Sequence, residues 1–312
     1  MSSLMKQRRL TDQSYRPGQF TVAALTVLGR SLGRIWGRDV MLYTGGVSFF
    51  ALLAVFPALA MLLGVYSLLL TPGEAVAQAD VFSRLLPPGA HSLFQNELIR
   101  LAKAPIRAVS AQSVAALVIG VYAAHRGFKA LLAGLSFIHE EAEPRSFLSF
   151  NLLAMAALAA AFALTAFMTG LFLAVRLIAA GMGLSPLKGV HWFYSEWTWA
   201  SIGLTLGLTL IYRFAMSTRP LAWPASIAGG VAAAILSLAA SWASALYVEQ
   251  FAHFGATYGS IAAVVVMLIW LSWNVNAIFF GAALVTEIEM FERRDAPHAR
   301  VTPVGRVSPR RR

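Results

Sequence analysis

MLYTGGVSFFALLAVFPALAMLLGVYSLLL, residues Met41 to Leu70, runs thirty residues without one Asp, Glu, Lys or Arg. About twenty apolar residues in an α-helix cross the ~30 Å hydrocarbon core of a bilayer, so the stretch reads as a transmembrane span. It begins forty residues into the chain, behind a basic segment, which separates it from a short cleavable signal. Further charge-free runs follow at Ala108–Ala124, Ser146–Val175, Trp197–Tyr212, Leu221–Val248 and Tyr258–Thr286. Ala108–Ala124 is short and carries Ser110, Gln112 and Ser113. Without it the chain has five spans and its termini lie on opposite sides. With it there are six.

Composition agrees with a membrane protein. Of 312 residues, 58% are hydrophobic and 12% are charged, where soluble domains carry about 25% charged residues. Such a chain lacks the charge to cover a soluble surface. The charges it has are lopsided, with a net charge of +11. In the six-span reading, 19 Lys and Arg fall on the side of the two tails and 6 on the other. The positive-inside rule then puts both termini in the cytoplasm of a bacterial inner membrane. The expected fold class is all-α: a polytopic integral membrane protein of six transmembrane helices plus interfacial amphipathic helices.

Three regions follow. Residues 1–40 form a basic cytoplasmic segment with an amphipathic helix. Within it Leu25, Leu28, Leu32, Ile35 and Trp36 share a face opposite the interfacial basic residues Arg30, Arg34 and Arg38. That pattern fits a helix on the anionic inner leaflet, or equally a cytoplasmic helix packed on the bundle. Residues 41–290 form the membrane domain. Inside it, Arg126–His139 repeats the amphipathic pattern and is expected as an elbow between the second and third spans. Thr71–Arg107 is the one sizeable outer loop, and Trp192, Tyr194, Trp197 and Trp199 form an outer aromatic belt. Residues 291–312 form a basic tail whose Pro, Gly, Ser and Arg content predicts disorder. The first and last three spans share no internal repeat, which gives no support to an inverted-repeat transporter.

The chemistry-bearing residues are sparse. There is no cysteine, so disulfides, thiolate metal sites and thiol catalysis are excluded. His91, His125, His139, His191, His253 and His298 never fall at metal-ligand spacing. No Gly-x-Ser-x-Gly or phosphate loop occurs. The sequence therefore predicts no enzyme, with no catalytic residue, cofactor or metal, and no nucleic-acid partner. No ionisable residue sits in the middle of any span, which argues against a proton relay.

Neutral polar residues remain. Pro57 blocks the hydrogen bond to the carbonyl of Leu53 in the first span. Gly45-Gly46, Pro224 and Gly229-Gly230 mark either broken helices around a cavity or plain kinks. Ser237, Ser241 and Ser244 share a face, as do Ser201, Thr205 and Thr209 beside Gly203-x-x-x-Gly207. Stripes of this kind let helices approach. The last span carries Trp270, Ser272, Trp273, Asn274 and Asn276 in its middle. At 100° per residue, Asn274 and Asn276 point about 200° apart, so both cannot line one cavity. A candidate polar cleft formed by Pro57, Ser237, Ser241, Ser244, Asn274 and Asn276 is expected where the first, fifth and sixth spans meet.

Three ordered motifs carry a resemblance. The run GGVSFFALLAVFPALAMLLGVYSLL (Gly45–Leu69) resembles the signature of the YihY/BrkB family of bacterial inner-membrane proteins. So do YRFAMSTRPLAWPASIAGGVAAAILSLAASWASALYV (Tyr212–Val248) and FAHFGATYGSIAAVVVMLIWLSWNVNAIFFGAAL (Phe251–Leu284). The elbow HRGFKALLAGLSFIHEE (His125–Glu141) is similar to its counterpart in the family. The resemblance covers about residues 25–290. It implies a six-helix membrane protein whose family has been catalogued as ribonuclease, serum-resistance factor, transporter and lipid translocator. One departure stands out. Where the family often has Gly-Ala-Glu, this chain has Gly281-Ala282-Ala283, with Glu287 one turn later. The function expected is movement of a small molecule or lipid-like amphiphile, with membrane lipids and an unidentified substrate as partners. A non-transporting envelope scaffold or assembly factor is the alternative, and a membrane-bound nuclease a distant third. Nothing in the letters fixes the oligomeric state.

Overall fold

The computed structural model describes residues 17–36, 39–69, 111–140, 145–181, 195–250 and 260–295. These hold seven α-helices and no strand: α1 (Pro17–Trp36), α2 (Val40–Leu69), α3 (Ala111–His139), α4 (Phe147–Gly181), α5 (Glu196–Ala215), α6 (Trp223–Gln250) and α7 (Ser260–Asp295). The expected outer loop, Trp192 and Tyr194 of the aromatic belt, and residues 296–312 of the C-terminal tail lie outside the described residues; 291–295, expected as part of a disordered tail, are the last turn of α7.

Three helices are long and apolar enough to cross a membrane by length and composition: Phe147–Ala179 in α4, Trp223–Tyr247 in α6 and Val264–Arg293 in α7. The segments Leu25–Trp36 and Val40–Val55, bent by 74° at the break between α1 and α2, qualify as a pair. The α5 helix is only twenty residues long and contains Glu196 and Arg213. The α3 helix contains His125, Arg126 and Lys129.

The elbow is corrected by the structure. Arg126–His139 is not a separate element but the second half of α3. No proline or capping residue interrupts the chain at Ala124, so the helix continues. Its apolar stripe, Leu131, Leu132, Leu135 and Ile138, is buried in the core rather than laid on a lipid surface.

A seam of glycines explains how α3 packs on α2. Gly120, Gly127 and Gly134 recur every seven residues on α3 and meet Pro57, Phe50 and Tyr43, which recur every seven on α2. A Cβ on Gly127 would stand 3.3 Å from Phe50 Cβ, one on Gly134 would stand 3.1 Å from Tyr43 Cβ, and one on Gly120 would overlap the Pro57 ring. Heptad spacing on both partners is the mark of antiparallel helices crossing at a shallow angle. Small residues let membrane helices approach this closely where the hydrophobic effect supplies no drive.

A second close approach joins α6 to two helices at once. A Cβ on Gly229 would come within 2.7 Å of the Gly281 carbonyl on α7, and one on Gly230 within 3.0 Å of the Thr205 carbonyl on α5. These adjacent glycines, expected to mark a break or kink, sit inside the continuous helix α6 and serve contact. Tyr212 of α5 lies over the junction, fully buried, and its hydroxyl donates to the Ile278 carbonyl at 2.7 Å.

The buried core gathers at one end of the bundle, around Val40, Leu132, Leu135, Ile138, Tyr212, Met216, Phe279 and Val285. The same end holds the connection between α5 and α6. There Arg145 donates to the Ala215 carbonyl at 2.8 Å and to that of Ser217, and Arg213 stacks 4.2 Å over the Trp223 ring. Chain carbonyls that a helix end leaves free are thereby satisfied by charged donors. The α7 helix runs through this end, with α6 and α2 packed along it and α1 and α3 against its last turns.

Candidate functional site

The α1 helix meets the bundle through Ser31, Arg34 and Ile35. Ser31 is fully buried, and Arg34 turns inward, while Leu25, Leu28, Leu32 and Trp36 face outward. Trp36 is 90% exposed. The helix thus turns most of its apolar stripe toward the surroundings, while Ser31, Arg34 and the partly buried Ile35 face protein. Arg30 is exposed, and Arg38 lies outside the described residues. Arg34, expected at the interface with the other two, has a side chain only 11% exposed.

Its guanidinium joins three elements. Nε and Nη2 donate to Glu287 Oε1 on α7 at 2.9 and 2.6 Å. Nη1 donates to Glu140 Oε1 at 2.7 Å and to the Ile138 carbonyl at the end of α3 at 3.2 Å. Glu287 is 8% exposed, so this pair is buried. Glu140 is nearly half exposed and caps α3 in the left-handed region at φ 58°. An L-residue there costs about 1 kcal/mol, and the conformation carries the Glu140 carboxylate to the arginine. Beside it, His139 Nδ1 lies 3.2 Å from Thr286 Oγ1, which itself donates to the Ala282 carbonyl at 2.9 Å. With its proton so used, Thr286 accepts from a protonated Nδ1.

A polar seam leads away from this cluster between α2 and α7. Thr44 Oγ1 is 3.0 Å from Asn276 Oδ1 and 3.2 Å from the Val40 carbonyl. One hydroxyl proton cannot serve both acceptors; the amide orientation with Nδ2 toward Thr44 satisfies both. One turn further, Ser272 Oγ donates to Ser48 Oγ at 3.3 Å. Thr44 and Ser48 are 4% and 1% exposed. The pairs step four residues up one helix and four down the other. On α7 the face runs Ser272, Asn276, Ala283, Glu287, so it includes the alanine that replaces the expected glutamate. From Ser272 to Glu287 it spans about 22 Å of helix at 1.5 Å per residue.

The remaining candidates lie elsewhere. Trp270 Nε1 donates to Ser241 Oγ on α6 at 3.1 Å, and Asn274 Nδ2 turns back to the Trp270 carbonyl at 2.8 Å. Trp270 and Asn274 both lie about 160° around α7 from Ser272, and about 120° and 160° from Asn276. Ser237 and Ser244 are buried on α6, and the Ser244 hydroxyl has no partner among the described residues. Pro57 meets Gly120 of α3. The six residues therefore do not surround one cleft; α7 separates the Asn276 side from the Ser241 side. Arg34, expected among the interfacial basic residues, joins the buried cluster instead, and Glu140, Thr44 and Ser48 were absent from the expected set. The signal for Thr44 and Ser48 was faint: two small polar residues four positions apart on α2.

On the far side of the bundle, α4 and α5 enclose an apolar groove of about 340 Å³. Among the described residues no three His, Asp or Glu side chains converge as a metal site.

Among known proteins, the chain is 35% identical over 85 residues to the UPF0761 membrane protein Nmul_A0452 of Nitrosospira multiformis, a match of 26% of this chain and 20% of that one. The chain thus spans only a fifth of that relative. It is 26% identical over 246 residues to the putative ribonuclease-like protein YfkH of Bacillus subtilis, covering 76% of this chain and 86% of that one. No solved structure matches. The model of the family described as Virulence factor BrkB matches residues 31–303, which takes in Arg34, all of α2 to α7 and therefore the whole polar seam. The chain belongs to the BrkB family.

Proposed function

We propose that this is a non-enzymatic, six-span protein of the bacterial inner membrane, with both termini cytoplasmic, that moves a small molecule or lipid-like amphiphile. The observation that supports this reading is the seam of Ser48–Ser272, Thr44–Asn276 and Arg34–Glu287. Its members are spread over about 22 Å of α7 in a bilayer whose hydrocarbon is ~30 Å thick, with two neutral pairs one turn apart and buried Ala283 between them and the ion pair. Its upper members are neutral hydroxyl and amide pairs. Interhelical bonds of this kind average about 0.6 kcal/mol in a membrane, so an incoming polar headgroup displaces one partner at little cost. Its lower end is Arg34, whose N–H groups are held by Glu287, Glu140 and the Ile138 carbonyl, so an incoming phosphate or carboxylate reaches the guanidinium by displacing the half-exposed Glu140. A headgroup passes along the seam while its hydrocarbon stays in lipid.

The test is reconstitution. Proteoliposomes carrying a phospholipid labelled on its headgroup are assayed for loss of the inner-leaflet pool, with Asn276→Leu and Asn274→Leu as variants. Transport predicts exchange above that of empty vesicles. It also predicts that Asn276→Leu lowers the rate severalfold while Asn274→Leu, on the opposite face, does not. Exchange equal to that of protein-free vesicles under either direction of ion gradient removes the reading and leaves a scaffold.

A further inference from the structure

The groove between α4 and α5 has dimensions and end-groups that specify a ligand. Its floor is made by Gly203 and Gly207 of α5, which face Met168 and Leu164 of α4. Its sides are apolar and include Phe172 and Trp199, whose rings lie 6.4 Å apart. Thr165 contributes a hydroxyl, but that group is already bonded to the Ala161 carbonyl of its own helix at 2.9 Å. The α4 wall runs from Ala161 to Phe172, about 16 Å of helix. A volume of about 340 Å³ along that length makes an elongated apolar slot, the shape a hydrocarbon chain takes.

Charge is confined to one end. Glu196 lies at the mouth, and Arg176 Nη1 stands 3.7 Å from its Oε1, too long for a hydrogen bond. The Arg176 side chain is half exposed and Glu196 about a third, with the guanidinium 5.6 Å above the Phe172 ring. The groove therefore ends at Glu196, with Arg176 beside it just outside the lining, the two loosely paired and open to an approaching headgroup. Both flanks face outward through Phe162, Phe167, Ile202 and Leu206, so a chain enters sideways.

We propose that this groove binds one acyl chain of a zwitterionic aminophospholipid from the surrounding bilayer, its phosphate on Arg176 and its ammonium on Glu196. Lipid tails gain nothing from the hydrophobic effect by leaving other lipid. Selection therefore comes from the headgroup, where a phosphate and a primary amine match the two end-groups and an anionic glycerol headgroup matches only one. The inference concerns binding and is independent of the transport reading: it holds whether or not any lipid crosses the membrane.

Photo-crosslinking tests it on the intact protein in proteoliposomes. The probes are phosphatidylethanolamine and phosphatidylglycerol, each with a photoreactive group on one acyl chain, and labelled peptides are mapped by mass spectrometry. The expected result is severalfold stronger labelling of α4 and α5 by the ethanolamine lipid. Ala200→Leu, which enlarges a lining side chain, should abolish that excess, as should Gly203→Leu, whose side chain pushes Met168 of α4 out of place. Glu196→Gln should bring the two lipids to equal labelling without losing the site. Uniform labelling of every outward helix face, including Ile235 and Trp242 of α6, that neither leucine variant alters would overturn the proposal as nonspecific annular lipid. A crosslink between two copies through this face, in place of lipid, would overturn it as a subunit interface.

Discussion

Replacing Arg34 by leucine tests the ion cluster most directly. The substitution leaves the Glu287 carboxylate 8% exposed with its guanidinium partner gone, and deprives the Ile138 carbonyl of a donor. Breaking a buried pair by removing one member costs about 3–5 kcal/mol, because the survivor keeps its desolvation penalty. Glu140 adds little to that sum. Its carboxylate is 45% exposed, and exposed pairs contribute about 0.2–1 kcal/mol. Arg34→Leu should therefore lower the thermal midpoint by about 6–20 °C, taking roughly 2–4 °C per kcal/mol. Glu140→Gln should lower it by only a few degrees. The double variant Arg34→Leu/Glu287→Leu should recover most of the loss, since replacing both ions by apolar groups is often neutral. The assay is intrinsic tryptophan fluorescence of protein in nanodiscs during heating; the chain has eight tryptophans and no cysteine. Should the double variant be as unstable as the two singles added together, the pair is not coupled and the account of α1 docking through Arg34 fails.

Three further outcomes follow from the same geometry. Gly134→Ala gains about 1 kcal/mol of helix propensity yet should lower the thermal midpoint, because its Cβ meets the Phe279 ring at 2.6 Å and overpacking costs about 1–3 kcal/mol. Gly170→Ala, with nothing within 4 Å, should not lower it. Reporter fusions after Arg312 and near Ala90 should be active on the cytoplasmic and periplasmic sides respectively; periplasmic activity of the C-terminal fusion sinks the six-span topology. Detergent-purified protein given magnesium, manganese or zinc should leave RNA intact, and turnover that disappears on mutating its own residues would restore the nuclease alternative.

What the letters alone determine about this protein is its helices and their solvent. Charge-free runs longer than a bilayer needs, at Met41–Leu70, Ser146–Val175, Leu221–Val248 and Tyr258–Thr286, overlap the helices Val40–Leu69, Phe147–Gly181, Trp223–Gln250 and Ser260–Asp295, because apolarity is a property each residue carries by itself. The amphipathic spacing of α1 was legible for the same reason. Which faces meet was not. In a bilayer, lipid is as apolar as leucine, so an apolar stripe does not point inward. Leu25, Leu32 and Trp36 face out, while Ser31, Thr44 and Ser48 are buried. The pairing of Arg34 with Glu287 spans 253 positions, and no local pattern announces a partner at that distance. The glycine heptad of α3 was in plain view but acquires meaning only beside Tyr43, Phe50 and Pro57. Tertiary contact also decided that Asn274 and Asn276 serve opposite sides of α7, and that the candidate site is a seam along α1, α2 and α7. Hydropathy is summed residue by residue, whereas hydrogen bonds, ion pairs and close backbone approach exist only between two groups that the fold has brought together.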